Sequence, residues 1–124
     1  MMNRQEEIAR IVRSYFKSYP DKDRPTIESL ISEDFYFTSP LDNRIDRQTY
    51  FNRCWPNSNN TAAIDLQHLV VNGEQAFVIY ESRMTDGKRF RNTELLTVKH
   101  GKITGVEVYF GWSIPHDAAA GKFV

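Results

Sequence analysis

Three turn dipeptides, Asn72-Gly73, Asp86-Gly87 and His100-Gly101, recur at fourteen-residue intervals between runs of β-branched and aromatic residues. Such pairs reverse a chain tightly, because their second residue takes the left-handed backbone that a close turn needs. They dictate four consecutive strands in an antiparallel meander from Ala62 onward. The four segments share no other motif, so the equal spacing means equal strand length and not an internal repeat.

Register decides which residues share a face. A two-residue loop at His100-Gly101 sets Glu94 opposite Glu107, and like charges opposite each other destabilise a strand pair. A three-residue loop, Lys99-His100-Gly101, sets Glu94 opposite Val106 instead. The same loop at Thr85-Asp86-Gly87 pairs Glu81 with Arg91, so three-residue loops are the expectation. One face then collects Ala76, Val78, Tyr80, Phe90, Asn92 and Glu94, joined by Leu96, Val106, Val108 and Phe110. Extending the rule to Asn72-Gly73 adds Ile64, Leu66, His68 and Val70. The other face mixes Phe77, Ile79, Leu95 and Tyr109 with Glu81, Arg83, Arg91, Thr93 and Glu107.

The first half is helical in pattern. Ile8, Ile11, Val12, Tyr15, Phe16 and Tyr19 recur at helical steps, which predicts a helix from about Arg4 to Tyr19, capped by Asn3 and stopped by Pro20. Asp23 caps a second, shorter helix with Pro25 in its first turn. Asp34 to Thr38 alternates as a short strand ending at Ser39-Pro40. Asp46 caps a third helix, with Ile45 and Tyr50 spaced as a hydrophobic staple; Phe51, Cys54 and Trp55 follow and Pro56 ends it. Pro56 to Asn60 is expected to be a mobile linker. The architecture that fits is α+β: one domain over 1–124, with a strongly curved antiparallel sheet wrapped around three N-terminal helices. Its concave side would hold the helices and a pocket. Its convex side, neither wet nor core-like, would hold a second copy in a homodimer; a solvated face with scattered apolar residues is the plainer alternative.

Composition excludes several functions. Sixteen basic and sixteen acidic residues cancel, so no general field recruits nucleic acid or an anionic membrane. One cysteine, Cys54, permits no internal disulfide and agrees with a reducing cytosol. No window approaches a transmembrane span, and the start lacks the apolar core of a signal peptide. There is no glycine-rich phosphate loop and no nucleophile elbow. Three scattered histidines give no metal signature. A cytoplasmic protein without cofactor or metal is expected.

Four residues carry candidate chemistry. Glu94, on an apolar concave face, loses solvation when ionised, so its pKa should rise and equip it as a neutral donor or a base near neutrality. It would otherwise be a glutamate paired with a buried tyrosine or asparagine for structure. Tyr15 is either a donor to a substrate oxygen or a core tyrosine with a backbone partner. His68 has the pKa for proton transfer but is a lone strand histidine. Asp42 sits at the pocket mouth if its loop folds inward, and otherwise serves the turn. Tyr50, Trp55, Tyr80, Phe90 and Phe110 are candidate walls or plain packing, and Trp112 is a candidate cap on the pocket or a dimer contact.

The helical start, the turn Phe37-Thr38-Ser39-Pro40, the third helix and the ending Asn92-Thr93-Glu94, Gly101-Lys102-Ile103 and Glu107-Val108-Tyr109-Phe110 together resemble the nuclear transport factor 2-like superfamily, in its SnoaL-like branch. The resemblance implies a cone-shaped fold with an internal pocket. Compared with ketosteroid isomerase, it places Tyr15 at the tyrosine that donates to the enolate oxygen and Glu94 at the protonated aspartic acid that is the second donor. Ser39 replaces the aspartate that shuttles the proton, so the base is missing. The expected function is binding of a small apolar or polycyclic oxygenated molecule, with cofactor-free isomerisation, cyclisation or dehydration by proton transfer. The alternatives are a non-catalytic ligand-binding module and a dimeric interaction module.

Overall fold

A computed structural model of the chain describes residues 1–121; the last three residues of the expected domain lie outside it. Helix α1 spans Arg4–Asp21 and α2 Arg24–Leu30. Strands β1 (Ile31–Ser39) and β2 (Asp42–Asp46) follow, then α3 (Arg47–Arg53) and a 3₁₀ helix over Trp55–Asn60. Four more strands follow: β3 (Thr61–Asn72), β4 (Gln75–Met84), β5 (Arg89–Lys99) and β6 (Lys102–Ile114). The sheet order is β2-β1-β6-β5-β4-β3. This is the α+β arrangement expected, with a curved sheet around three helices.

The helix starts form as their capping residues dictate. Asn3, Asp23 and Asp46 each accept a backbone N–H from the third residue on, filling a donor that the first turn leaves open. Pro20 does not stop α1; the helix runs through it to Asp21 and turns at Lys22 in the left-handed conformation. The apolar face of α1 (Ile8, Ile11, Val12, Tyr15, Phe16) packs with Ala76, Val78, Leu96, Val106 and Val108 of the sheet in one buried cluster. Among the described residues no helix is long and apolar enough to cross a membrane.

Three features were not anticipated. Asp42–Asp46 forms a strand, β2, antiparallel to β1, and β1 runs parallel to β6, so the sheet is mixed. The segment expected as a mobile linker is the 3₁₀ helix, with Ser58 buried and Thr61 Oγ1 donating to the Asn57 carbonyl at 2.9 Å. Its turn-rich composition suits a tight helix as well as a loop, and packing decides.

The hairpins refine the register. At the β4–β5 turn, Glu81 pairs with Arg91 as expected, and the Arg91 Nε–Glu81 Oε1 distance is 3.3 Å. At β5–β6 the loop has two residues, not three: Lys99 pairs with Lys102. An irregularity between Thr97 and Val98 then makes Thr104 an extra residue, so Glu94 lies opposite Val108 and not Val106. The shift keeps Glu94 on the concave face and away from Glu107. At β3–β4, Asn72 pairs with Gln75, again a two-residue loop, and a bulge falls between Leu66 and His68. Residues on the two sides of that bulge therefore follow different parity. Ile64 and Leu66 face the core as expected, whereas His68 and Val70 pair with Ile79 and Phe77 on the convex face. Leu69 and Val71 take their place against the core.

Candidate functional site

Between α1 and the concave sheet lies a cavity of about 520 Å³, within the usual range for small-molecule sites. Tyr15, Phe16 and Tyr19 of α1 form one wall, and Ser39, Leu41 and Asp42 another. The sheet contributes Tyr80 and Ser82 of β4, Phe90, Asn92 and Glu94 of β5, and Val108, Phe110, Gly111 and Trp112 of β6. Leu41, Phe110 and Trp112 line it while being at least half exposed, so the opening has an apolar rim.

Glu94 is the buried acid of the sheet wall. Its flanking partners in the sheet are Val78 and Val108, and burial pushes its carboxyl up to about 7 despite the opposing effect of a Tyr80 hydrogen bond. Tyr80 Oη donates to Glu94 Oε2 at 2.7 Å, and Asn92 Nδ2 donates to Tyr80 Oη at 3.2 Å. Glu94 Oε1 is buried without any hydrogen-bond partner. Near neutral pH the group thus exists in both protonation states, with one oxygen tied and one free.

Three tyrosine hydroxyls meet beside it. Tyr50 Oη lies 3.1 Å from Tyr15 Oη and also bonds Tyr19 Oη. Burial, foremost, raises all three above the ordinary phenol range, so each keeps its proton. Three protons serve two hydrogen bonds, which leaves one over. Were both outer hydroxyls to donate to Tyr50, its own proton would be stranded in a fully buried place, at a cost of about 1–3 kcal/mol. Tyr50 therefore donates to one neighbour, and the spare O–H belongs to Tyr15 or Tyr19, both of which line the cavity. The wall thus presents a phenolic donor to the cavity.

Asp42 stands at the cavity too. Its Oδ2 accepts from Ser39 Oγ at 2.9 Å, and its Oδ1 lies 2.8 Å from Arg53 Nη2, an ion pair in which no N–H is aligned on the oxygen. Ser39 is no base, but its hydroxyl holds a carboxylate in the wall. Cys54, also lining, has its thiol pushed by burial up to about 11 and is inert as a nucleophile at neutral pH.

Of the residues singled out from sequence, the structure brings Glu94, Tyr15 and Asp42 to one cavity, with Ser39, Tyr80, Phe90, Asn92, Val108, Phe110 and Trp112 around it. His68 is excluded: it is exposed on the convex face, because the bulge before it inverts its side. Tyr50 and Trp55 are not walls. They form a layer behind, Trp55 packing on Tyr19 with ring centroids 5.0 Å apart and Tyr50 wholly buried. Sequence reasoning gave no site role to Phe16, Tyr19, Ser82 or Gly111. Tyr19 had a signal, lying one helical turn after Tyr15; the glycine had none. Among the described residues no three His, Cys, Asp or Glu side chains converge as metal ligands.

The fold has counterparts among solved structures. No curated protein matches the sequence. A candidate ketosteroid isomerase from Kribbella flavida has the same fold with TM-score 0.76, 17% identity, and 100% of this chain and 88% of that one covered. An LEH-like epoxide hydrolase from M. tuberculosis matches with TM-score 0.75 at 16% identity, over 88% of this chain and 86% of that one. A nuclear transport factor 2-like protein of unknown function from Mesorhizobium loti matches with TM-score 0.73 at 23% identity, over 90% and 96%. At these identities the likeness is one of fold, the α+β cone. The sequence model of the SnoaL-like domain matches residues 12–106, and the chain belongs to the SnoaL-like domain family.

Proposed function

We propose that the cavity binds a small, largely apolar, oxygenated molecule and that Glu94 exchanges a proton with it in a cofactor-free isomerisation, cyclisation or dehydration. The carrying observation is the Glu94 carboxyl itself: buried, held by Tyr80 on one oxygen, unpartnered on the other, and titrating at about 7. A group of that pKa can both take and return a proton at neutral pH. The spare phenol hydrogen of Tyr15 or Tyr19 supports charge that develops on a ligand oxygen. Asp42, kept beside Arg53, is the second carboxylate available to the ligand. The names of two fold neighbours, an isomerase and a hydrolase, keep the reading within small-molecule chemistry. The single cysteine fits a cytosolic setting.

The test begins with a ligand found by thermal shift in a panel of apolar ketones, enones and alcohols. Glu94→Gln should then abolish turnover while leaving affinity nearly intact. Unchanged turnover in that variant removes Glu94 from the reaction.

We also propose that the convex sheet face pairs two copies. Val70, Phe77, Ile79 and Tyr109 are exposed together there, at 39–59%, and the Glu81–Arg91 and Glu81–Arg89 pairs flank them. A self-complementary patch of apolar residues with both charge signs suits a two-fold contact. Sedimentation should show a dimer at micromolar concentration and a monomer for Phe77→Asp; a monomeric parent protein refutes it.

A further inference from the structure

We propose that Asn92 is a positioning residue: through Tyr80 it ties Glu94 Oε2 as an acceptor, and so makes Oε1 the oxygen that carries and exchanges the proton. This rests on the proton-exchange reading above and assigns the atom at which that exchange happens.

The argument starts at β6. Asn92 pairs with Phe110 but Phe90 pairs with Ser113, so β6 carries an extra residue at Gly111–Trp112. A Cβ on Gly111 would lie 2.0 Å from the Arg91 carbonyl oxygen, so only glycine lets the two backbones approach this closely. The approach aims the Gly111 N–H at Asn92 Oδ1, 3.1 Å away. A backbone N–H is a donor only. It therefore fixes which end of the Asn92 amide faces it, and the Nδ2 end must point to Tyr80 Oη, 3.2 Å away. That amide hydrogen occupies the acceptor side of the phenol oxygen. The Tyr80 proton is left to Glu94 Oε2 at 2.7 Å.

The direction of every bond in the chain Gly111–Asn92–Tyr80–Glu94 is thus set from its backbone end. When Glu94 is ionised, Oε2 accepts the hydrogen bond from Tyr80 and Oε1 is bare. When it is protonated, a proton on Oε2 would compete with Asn92 for the Tyr80 oxygen and strand the Tyr80 hydrogen. A proton on Oε1 disturbs nothing, and Oε1 has no partner in the protein. Of the other groups around Glu94, Tyr15 and Tyr19 on α1 and Tyr50 and Cys54 at α3 already titrate above neutrality and are raised further by burial, and Asp42, paired with Arg53, shares the cavity. The three tyrosines and the cysteine keep their protons through the range where Glu94 titrates.

The test is a titration of the ligand-free protein, following the Glu94 carboxyl carbon by NMR, with Glu94→Gln to assign the signal. Because Tyr80 donates to the carboxylate, Tyr80→Phe should raise the Glu94 pKa by about one to two pH units. A fall in that variant would mean that Tyr80 accepts a proton held on Oε2, and would overturn the proposal. Asn92→Leu should raise the pKa in the parent background and leave it unmoved in Tyr80→Phe, since Asn92 acts through Tyr80. Equal movement in both backgrounds would give Asn92 a merely structural role and overturn it as well. Asn92→Ser serves where the leucine variant does not fold. No ligand is needed, so a relay that behaves as described while Glu94→Gln keeps full turnover would refute the proton-exchange reading alone.

Discussion

Replacing Glu94 with glutamine should raise the stability of the protein relative to the parent steadily as the pH rises from acid to alkaline. An unfolded glutamate titrates near 4.5, whereas in the folded protein the group titrates at about 7. Below the lower value both states hold the proton and pH has no leverage on this group. Between the two values the folded state keeps a proton that the unfolded state has released, so stability falls as pH rises, and the loss is complete above 7. A difference of roughly 2.5 pH units corresponds to about 3 kcal/mol. Glutamine is neutral throughout and escapes the loss. Its amide leaves a buried N–H₂ where Oε1 now has no partner, which adds an offset that does not vary with pH. The readout is therefore the change in the stability gap between pH 4.5 and pH 8.5, from urea unfolding of both proteins. The Asp23 and Asp46 caps, whose carboxyls are held low by hydrogen bonds from Thr26 and Thr49, lose their contribution in acid. They do so equally in both proteins and cancel. The gap should widen by about 3 kcal/mol in favour of Glu94→Gln. Parallel stability curves across that range would refute the burial argument.

Two glycines of β6 should respond differently to the same change. Gly111→Ala meets the Arg91 backbone at 2.0 Å, which cannot yield locally, and should cost more than about 3 kcal/mol of unfolding free energy. Gly105→Ala meets the Tyr36 ring first, at 2.5 Å from Cζ, and that ring can swing out from under Arg44; a loss of about 1 kcal/mol is expected in the same urea assay. His68→Ala, on the exposed convex face, should leave ligand affinity and turnover unchanged and stability within about 0.5 kcal/mol.

The fold was legible wherever a local signal carried its own physics. Asn3, Asp23 and Asp46 cap the helices that they were read to cap, and the turn dipeptides delimit β3 to β6. Faces were harder than elements. The repulsion between Glu94 and Glu107 correctly put them on different sides, but the chain achieves this with a two-residue turn and an extra residue at Thr104 rather than with a longer loop. Where no charge constrained the register, in β3, the bulge after Leu66 went unseen and carried His68 to the wrong side. A bulge answers to how a strand must bend over its neighbours, which no short stretch of sequence records. The strand β2 and the parallel pairing of β1 with β6 escaped for the same reason: Asp42–Asp46 has little strand propensity of its own and is held by β1. In the cavity, Glu94 announced itself as an acid among apolar neighbours. The Gly111 anchor did not, because its meaning lies in how near another backbone comes.

The unequal settings of the two tryptophans give the protein a built-in optical gauge. Trp55 is 8% exposed in the layer behind Tyr19, whereas Trp112 is 51% exposed on the cavity rim and stacks on His116 at 4.9 Å. Emission from Trp112 should be red-shifted and open to acrylamide, and that from Trp55 blue-shifted and shielded. A molecule that fills the cavity up to its rim should cover Trp112 and leave Trp55 as an internal standard. The ratio of quenchable to unquenchable light then reports occupancy by any molecule that reaches the rim, whether or not it is turned over.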